Sequence, residues 1–190
     1  MSIIFGLSGR KKKQKMYYVV QVRTGNEEKV MKDIRANSTD PDGIDVFTPF
    51  RCEMRKYKGE YKLVTLPCFP GYVFVETNDP KKLFYDLYRI EDFTRLLGRE
   101  GTSYHFVHLS QEEERIINIL YGKENNRTTV LSDIEVVEGD KIRVLSGPLY
   151  NMEGLVTKVD LHKRKVWVKF TFCERDTEIS MGINIVTKAK

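Results

Sequence analysis

The sequence predicts an α+β chain in two parts, a layered α/β unit over residues 16–122 and a small β-barrel over 133–190, joined by a linker at 123–132. Three observations carry this. Strand and helix signals alternate in the order strand, helix, strands, helix, strands, helix up to Gly122. A polar stretch without periodicity, Asn125-Asn126-Arg127-Thr128-Thr129, follows. Beyond it every segment reads as strand or turn, ending in the longest alternation of the chain, Lys165 to Phe172.

Met1 to Lys15 reads as a tail that folds little or not at all, with Arg10, Lys11, Lys12, Lys13 and Lys15 as a basic run. Tyr17 to Arg23 is a strand, with Tyr18, Val20 and Val22 on one face and Tyr17, Val19 and Gln21 on the other. Thr24-Gly25-Asn26-Glu27 fits a capping box heading a helix whose inward stripe is Val30, Met31 and Ile34. Val46 and Phe47 begin a second strand. From Arg51 to Val64 the pattern is basic and aromatic, a hairpin turning at Lys58-Gly59 between Tyr57 and Tyr61. Phe69-Pro70-Gly71 is a rigid turn presenting a ring, because proline fixes its own φ and glycine tolerates what other residues cannot. Tyr72 to Val75 then alternates aromatic with β-branched residues and is apolar on both faces, the mark of a strand covered on two sides.

Asp79-Pro80 starts a second helix with Leu83, Phe84 and Leu87 inward. Ile90 to Gly98 is extended, and His105-Phe106-Val107-His108 is a short strand. Ser110-Gln111-Glu112-Glu113 is another capping box, heading a helix with Ile116, Ile117 and Leu120 inward that Gly122 ends. In the last part Gly139-Asp140 precedes Lys141 to Leu145, Ser146-Gly147-Pro148 turns, and Gly154 leads into Leu155 to Asp160. Val166, Val168, Phe170 and Phe172 share the face opposite Lys165, Trp167, Lys169 and Thr171. Closure into a barrel removes the exposed edges that five such strands would otherwise carry.

Net charge is +5 over 190 residues, an excess that the five basic residues of the tail alone account for. Affinity for polyanions must therefore come from local patches. Cys52, Cys68 and Cys173 are odd in number and far apart, with no paired-cysteine motif and no clustered histidines. They read as reduced thiols in a cytoplasmic protein with no metal and no cofactor. No apolar run approaches the ~20 residues of a membrane span. Gly6-Leu7-Ser8-Gly9-Arg10-Lys11 lacks the spacing of a phosphate loop, and no Ser, Cys or His sits in a nucleophile motif, so an enzyme is not expected.

Gly71-Tyr72-Val73-Phe74-Val75-Glu76 is similar to the first signature of RNA-recognition motifs. A longer resemblance covers about Met16 to Lys188. Gly139-Asp140-Lys-Ile-Arg-Val, Ser146-Gly147-Pro148, Glu153-Gly154-Leu-Val-Thr-Lys-Val-Asp160 and Val166-Trp167-Val168 look like a KOW motif. Ahead of it, Tyr17-Tyr18-Val19-Val20-Gln21, Thr24-Gly25, Phe69-Pro70-Gly71-Tyr72 and Leu97-Gly98 resemble the amino-terminal domain of the NusG group of transcription elongation factors. The resemblance implies an RNP-like sandwich that binds the clamp helices of RNA polymerase and suppresses pausing, followed by an SH3-like barrel, in a monomer. Carried over by position, the polymerase surface comprises Tyr17, Phe69, Pro70 and Tyr72 with Ile90 and Phe93; matched by region, the non-template DNA strand falls to Arg23, Lys29, Lys56 and Lys58. On the barrel, Lys163, Arg164, Lys165, Trp167 and Lys169 suit RNA, such as a structured leader. Phe172-Cys173-Glu174-Arg175 stands where members that couple to the ribosome or to Rho carry Phe-Gly-Arg. That departure points away from those partners and toward an operon-directed antiterminator like RfaH or LoaP. A ribosome-associated structural RNA-binding protein is the alternative.

Overall fold

The structure, a computed structural model, describes residues 15–97, 106–137, 141–173 and 175–188. The expected tail as far as Gln14, and Gly98, His105, Gly139, Asp140 and Glu174, lie outside the described residues. In chain order the first part runs β1 (Met16–Val22), α1 (Glu27–Asn37), β2 (Asp45–Phe47), β3 (Phe50–Tyr57), β4 (Glu60–Pro67), β5 (Tyr72–Thr77), α2 (Pro80–Leu87), β6 (Thr94–Leu96) and α3 (Gln111–Tyr121). The second part runs β7 (Thr128–Thr129), β8 (Ser132–Val136), β9 (Ile142–Ser146), β10 (Val156–Asp160), β11 (Lys165–Phe172) and β12 (Arg175–Lys188).

Two-sided alternation in β1 and β5 builds the sandwich. These strands pair antiparallel at the centre of a sheet ordered β2-β5-β1-β6, with Val19 opposite Phe74 and Val20 opposite Val73. Tyr18, Val20, Val22, Val73 and Val75 pack on one face against Val30 and Ile34 of α1 and Leu83 and Leu87 of α2. Tyr17, Val19, Phe47 and Phe74 fill the other face with Ile116, Ile117 and Leu120 of α3. Full burial of each such side chain is worth roughly 1.5–3 kcal/mol, so the sheet is held from both sides.

Local chemistry sets the ends of the elements. Ser110 and Glu113 form the expected capping box, and Asp79 accepts from the Lys82 amide ahead of Pro80. Lys58 and Gly59 both adopt positive φ, the two-residue turn whose twist matches a hairpin. The first expected box is corrected: α1 begins at Glu27 behind Asn26, and Glu27 reaches to Gly25 and Gly71, not to Thr24. Of the expected stretch from Ile90, only Thr94–Leu96 pairs, and Phe106 and His108 form single bridges where a strand was expected.

The stretch expected to be a linker is laid down on the sandwich. A 3-10 turn at Lys123–Asn125 is followed by β7, which adds in parallel to β3. Arg127 between them is buried, its guanidinium 3.8 Å above the Phe47 ring and 2.5 Å from Asp45 Oδ2.

Beyond it a five-stranded sheet ordered β10-β11-β12-β8-β9 forms the barrel. β12 is long enough to serve two neighbours, antiparallel to β11 as far as Gly182 and parallel to β8 from Ile183. Val166, Val168, Phe170 and Phe172 are all buried, as their alternation predicts, against Ile179, Met181 and Ile183. This core is continuous with the α3 face of the sandwich. Among the described residues no helix is long and apolar enough to cross a membrane, and no group of three or more His, Cys, Asp and Glu side chains is placed to hold a metal.

Candidate functional site

The Phe69-Pro70-Gly71 turn is held in place by one buried carboxylate. Gly71 takes φ +85°, and a Cβ there would lie 3.1 Å from Thr24 Oγ1. Its amide donates to Glu27 Oε1 at 2.6 Å, while Glu27 Oε2 accepts from Gly25 at 2.8 Å. The Tyr72 amide closes the turn on the Phe69 carbonyl at 3.2 Å. Glu27 thereby ties the start of α1 to the start of β5, and the Phe69 ring has a fixed direction.

That ring joins an aromatic corner. Phe69 lies 5.5 Å from Phe74 and 6.1 Å from Tyr121, Phe74 stacks on Phe47 at 5.3 Å, and Phe47 meets Tyr17 edge-on at 5.7 Å. The phenol of Tyr17 donates to Asn118 of α3. Beneath the corner, the Cys68 thiol and the Tyr121 hydroxyl are bonded to each other, and burial pushes both above their ordinary pKa.

The sequence leads one to expect this corner at the surface, but Tyr17 and Phe69 are only 6% exposed. Phe172, at the end of β11, stacks on Phe69 at 4.9 Å with 27° between planes and sits 5.5 Å from Phe74. One residue on, the Cys173 amide donates to Glu113 of α3 at 2.7 Å. The barrel is therefore a cover over the corner.

Glu53 fixes the cover and is a residue that the sequence reading passed over. Its carboxylate is fully buried and accepts from Lys165 Nζ at 2.7 Å, Ser180 Oγ at 2.8 Å and Arg51 Nε at 3.0 Å. Burial alone would raise its pKa; the bonds from Lys165, Ser180 and Arg51 overturn that and hold it at about 2. Beside it β12 meets the β3 backbone so closely that a Cβ on Gly182 would stand 2.5 Å from the Cys52 carbonyl. Glu53 sits among basic and aromatic neighbours in the sequence, and only that isolation hints at it.

The family model described as "Transcription termination factor nusG" matches residues 15–119. The chain belongs to the NusG family. Similar curated proteins are the "Transcription termination/antitermination protein NusG" of Thermus thermophilus and that of Borreliella burgdorferi. The first is 28% identical over 91% of this chain and 98% of its own length. The second is 25% identical over 90% and 97%. The solved structure "Domain interaction in Thermotoga maritima NusG" shares the fold, with a TM-score of 0.50 at 22% identity over 89% of this chain and 94% of that one.

Within this NusG-family fold, the residues singled out from the sequence fall into separate places. Tyr17, Phe69 and the half-buried Tyr72 belong to the covered corner, with Pro70 exposed at its edge. Ile90 instead packs with α1 and α2 on the opposite face of the sheet, and Phe93 is 45% exposed. Arg23 is exposed just ahead of α1, where Lys29 bonds Asp92 at 2.5 Å, whereas Lys56 and Lys58 are at the hairpin tip. On the barrel Lys165 is taken by Glu53, Lys169 by Asp176 and Lys163 by Asp160, and Trp167 lies under Lys158 at 4.8 Å. Arg164 stacks on Tyr61 of the hairpin at 4.2 Å.

Proposed function

We propose that this chain is a non-enzymatic, cytoplasmic transcription elongation and antitermination factor that docks on the clamp helices of RNA polymerase through Tyr17, Phe69, Pro70 and Tyr72. Residues 16–122 form the docking unit, and residues 133–190 form an arm that contacts RNA or another partner. Family membership supports the transcriptional role, and curated relatives named as termination/antitermination proteins support its direction.

The observation that carries the docking assignment is the Phe172 ring stacked on Phe69. Clustered aromatic rings offer a large contact area at low entropic cost, which is the make-up of an interface anchor. Left open to water such a patch would drive association. An intramolecular ring in the partner's place keeps it dry until the barrel swings away. Polymerase docking and the barrel contact therefore exclude each other. Once engaged, the exposed DNA strand runs along Arg23, Lys29, Lys56 and Lys58. Phe172-Cys173-Glu174-Arg175, in place of Phe-Gly-Arg, favours an operon-directed paralogue of the RfaH or LoaP type.

Phe69→Ala tests the docking assignment. It removes the central anchor, so polymerase binding should fall by about 2 kcal/mol or more, even though the same change loosens the cover. Unchanged binding by a folded variant would refute the assignment. Co-purification with ribosomal subunits in place of core polymerase would favour the structural RNA-binding alternative.

A further inference from the structure

Two basic patches that the sequence assigns to different parts of the chain meet at one ring. Tyr61 of β4 donates its hydroxyl to the His162 carbonyl at 2.6 Å, and the Arg164 guanidinium carbon lies over its ring, 4.2 Å from the centroid. Lys56, opposite Tyr61 in the hairpin register, places its ammonium 5.9 Å from the same centroid. Cations from the hairpin and from the β10–β11 loop therefore stand within about 10 Å of each other. On the other face of the hairpin, Tyr57 is 58% exposed, with Lys58 at 5.6 Å and Lys62 at 5.4 Å from its centroid.

These charges are uncompensated. Lys56, Lys58, Lys62 and Arg164 make no ion pair with any described residue, and Glu60 is the only acid between Met54 and Val64. The loop is built to hold its place: the Lys163 amide donates to Asp160, Arg164 takes φ +52°, and the Ile183 amide donates to the Arg164 carbonyl. A guanidinium held over a ring by cation–π attraction keeps N–H donors for phosphate. Exposed rings flanked by cations are the make-up of sequence-tolerant single-strand sites, in which bases stack and phosphates follow the charge. Paired bases in a duplex offer no such face.

We propose that the closed chain carries a single-stranded nucleic-acid site shared between the β3–β4 hairpin and the β10–β11 loop, in which Lys56 and Arg164 hold phosphates beside Tyr61 and the strand rounds the hairpin tip to set a base on Tyr57 of the other face. This deepens the reading of the barrel as an RNA-contacting arm and rests on that part of it alone; polymerase docking does not enter. Because the site exists only while the two parts touch, a bound strand stabilises the closed form by mass action.

The test is fluorescence anisotropy of the full chain at low salt. The probes are a labelled single-stranded RNA of about a dozen nucleotides, the DNA strand of the same sequence, and the duplex. Either single strand binding more tightly than the duplex supports the site, and the two arms tell which is preferred. Tyr57→Ala and Arg164→Ala should each weaken binding about tenfold. Gly182→Ala leaves every contacting side chain in place but forces β12 from β3, and it should weaken binding by a similar factor; Glu53→Gln opens the same contact without adding a heavy atom. If X-ray scattering shows either variant opened while its affinity equals that of the parent, the shared site is overturned. The barrel's own RNA contact would then stand only if Arg164→Ala still weakened binding. A duplex that binds as tightly as the single strands, or Tyr57→Ala without effect, also overturns the proposal.

Discussion

Replacing Phe172 with alanine should make the chain bind polymerase more tightly. The ring is 7% exposed and lies against Phe69 at 4.9 Å and Phe74 at 5.5 Å. A buried Phe→Ala change costs about 3–5 kcal/mol in total. Part of that falls on the barrel, whose inward row of Val166, Val168 and Phe170 the ring continues. The two ring pairs that cross between the parts are worth about 0.5–1.5 kcal/mol each. Their loss therefore moves the closed-to-open ratio by about 1–3 kcal/mol, or roughly 5- to 150-fold. While the closed form dominates, apparent affinity is reduced by the fraction that is open, so the dissociation constant should fall by the same factor. Biolayer interferometry on immobilised core enzyme reads this directly, with an NMR spectrum of the variant to establish that the barrel remains folded. A folded barrel with unchanged or weaker binding would refute the idea that Phe172 covers the docking surface.

Glu53→Gln leaves Lys165 without its counter-charge at a buried site, a change of about 3–5 kcal/mol against the closed form. It should appear as a larger radius of gyration in solution scattering, and an unchanged radius would argue against an ionic latch. Acid should act on the same group. Its pKa in the closed form, about 2, lies below the ordinary 4.5, so its contribution is complete above pH 4.5 and is lost as pH falls through 2. The contact should persist at pH 5 and weaken below about 4, as followed by scattering across the titration. Arg127→Ala removes a 2.5 Å ion pair to Asp45, a bond to the Tyr121 carbonyl and a 3.8 Å ring contact to Phe47. A loss of about 2–3 kcal/mol, and a fall in Tm of roughly 5–10 °C by calorimetry, should follow.

Most of the fold could be read from short-range pattern. Alternation in Tyr17–Val22 and Tyr72–Val75 correctly assigned both faces of the sheet, and the Ser110 box and Lys58-Gly59 turn are local chemistry that nothing overrides. Where local pattern failed, a distant partner competed. Glu27 had a box to make with Thr24 but spends its carboxylate on Gly71, 44 residues away. Arg127 sits in a polar stretch that reads as a linker, and Asp45 and the Phe47 ring draw its side chain inside. The Phe69 turn was legible as a rigid corner because proline and glycine leave it few conformations. Its cover was not, since Phe172 reads as one more inward residue of a barrel strand. Glu53 was hidden for the same reason: its partners, Lys165 and Ser180, lie more than a hundred positions along the chain.

On the proposed docking, polymerase and barrel compete for one aromatic corner. Hydrogen exchange on the full chain, with and without core polymerase, measures that competition at both surfaces at once. With polymerase bound, amides of Phe69 to Phe74 should stay protected while those of Cys52, Glu53 and Cys173, at the barrel contact, become faster. If polymerase binds while the barrel contact keeps its protection, the corner is not where it docks.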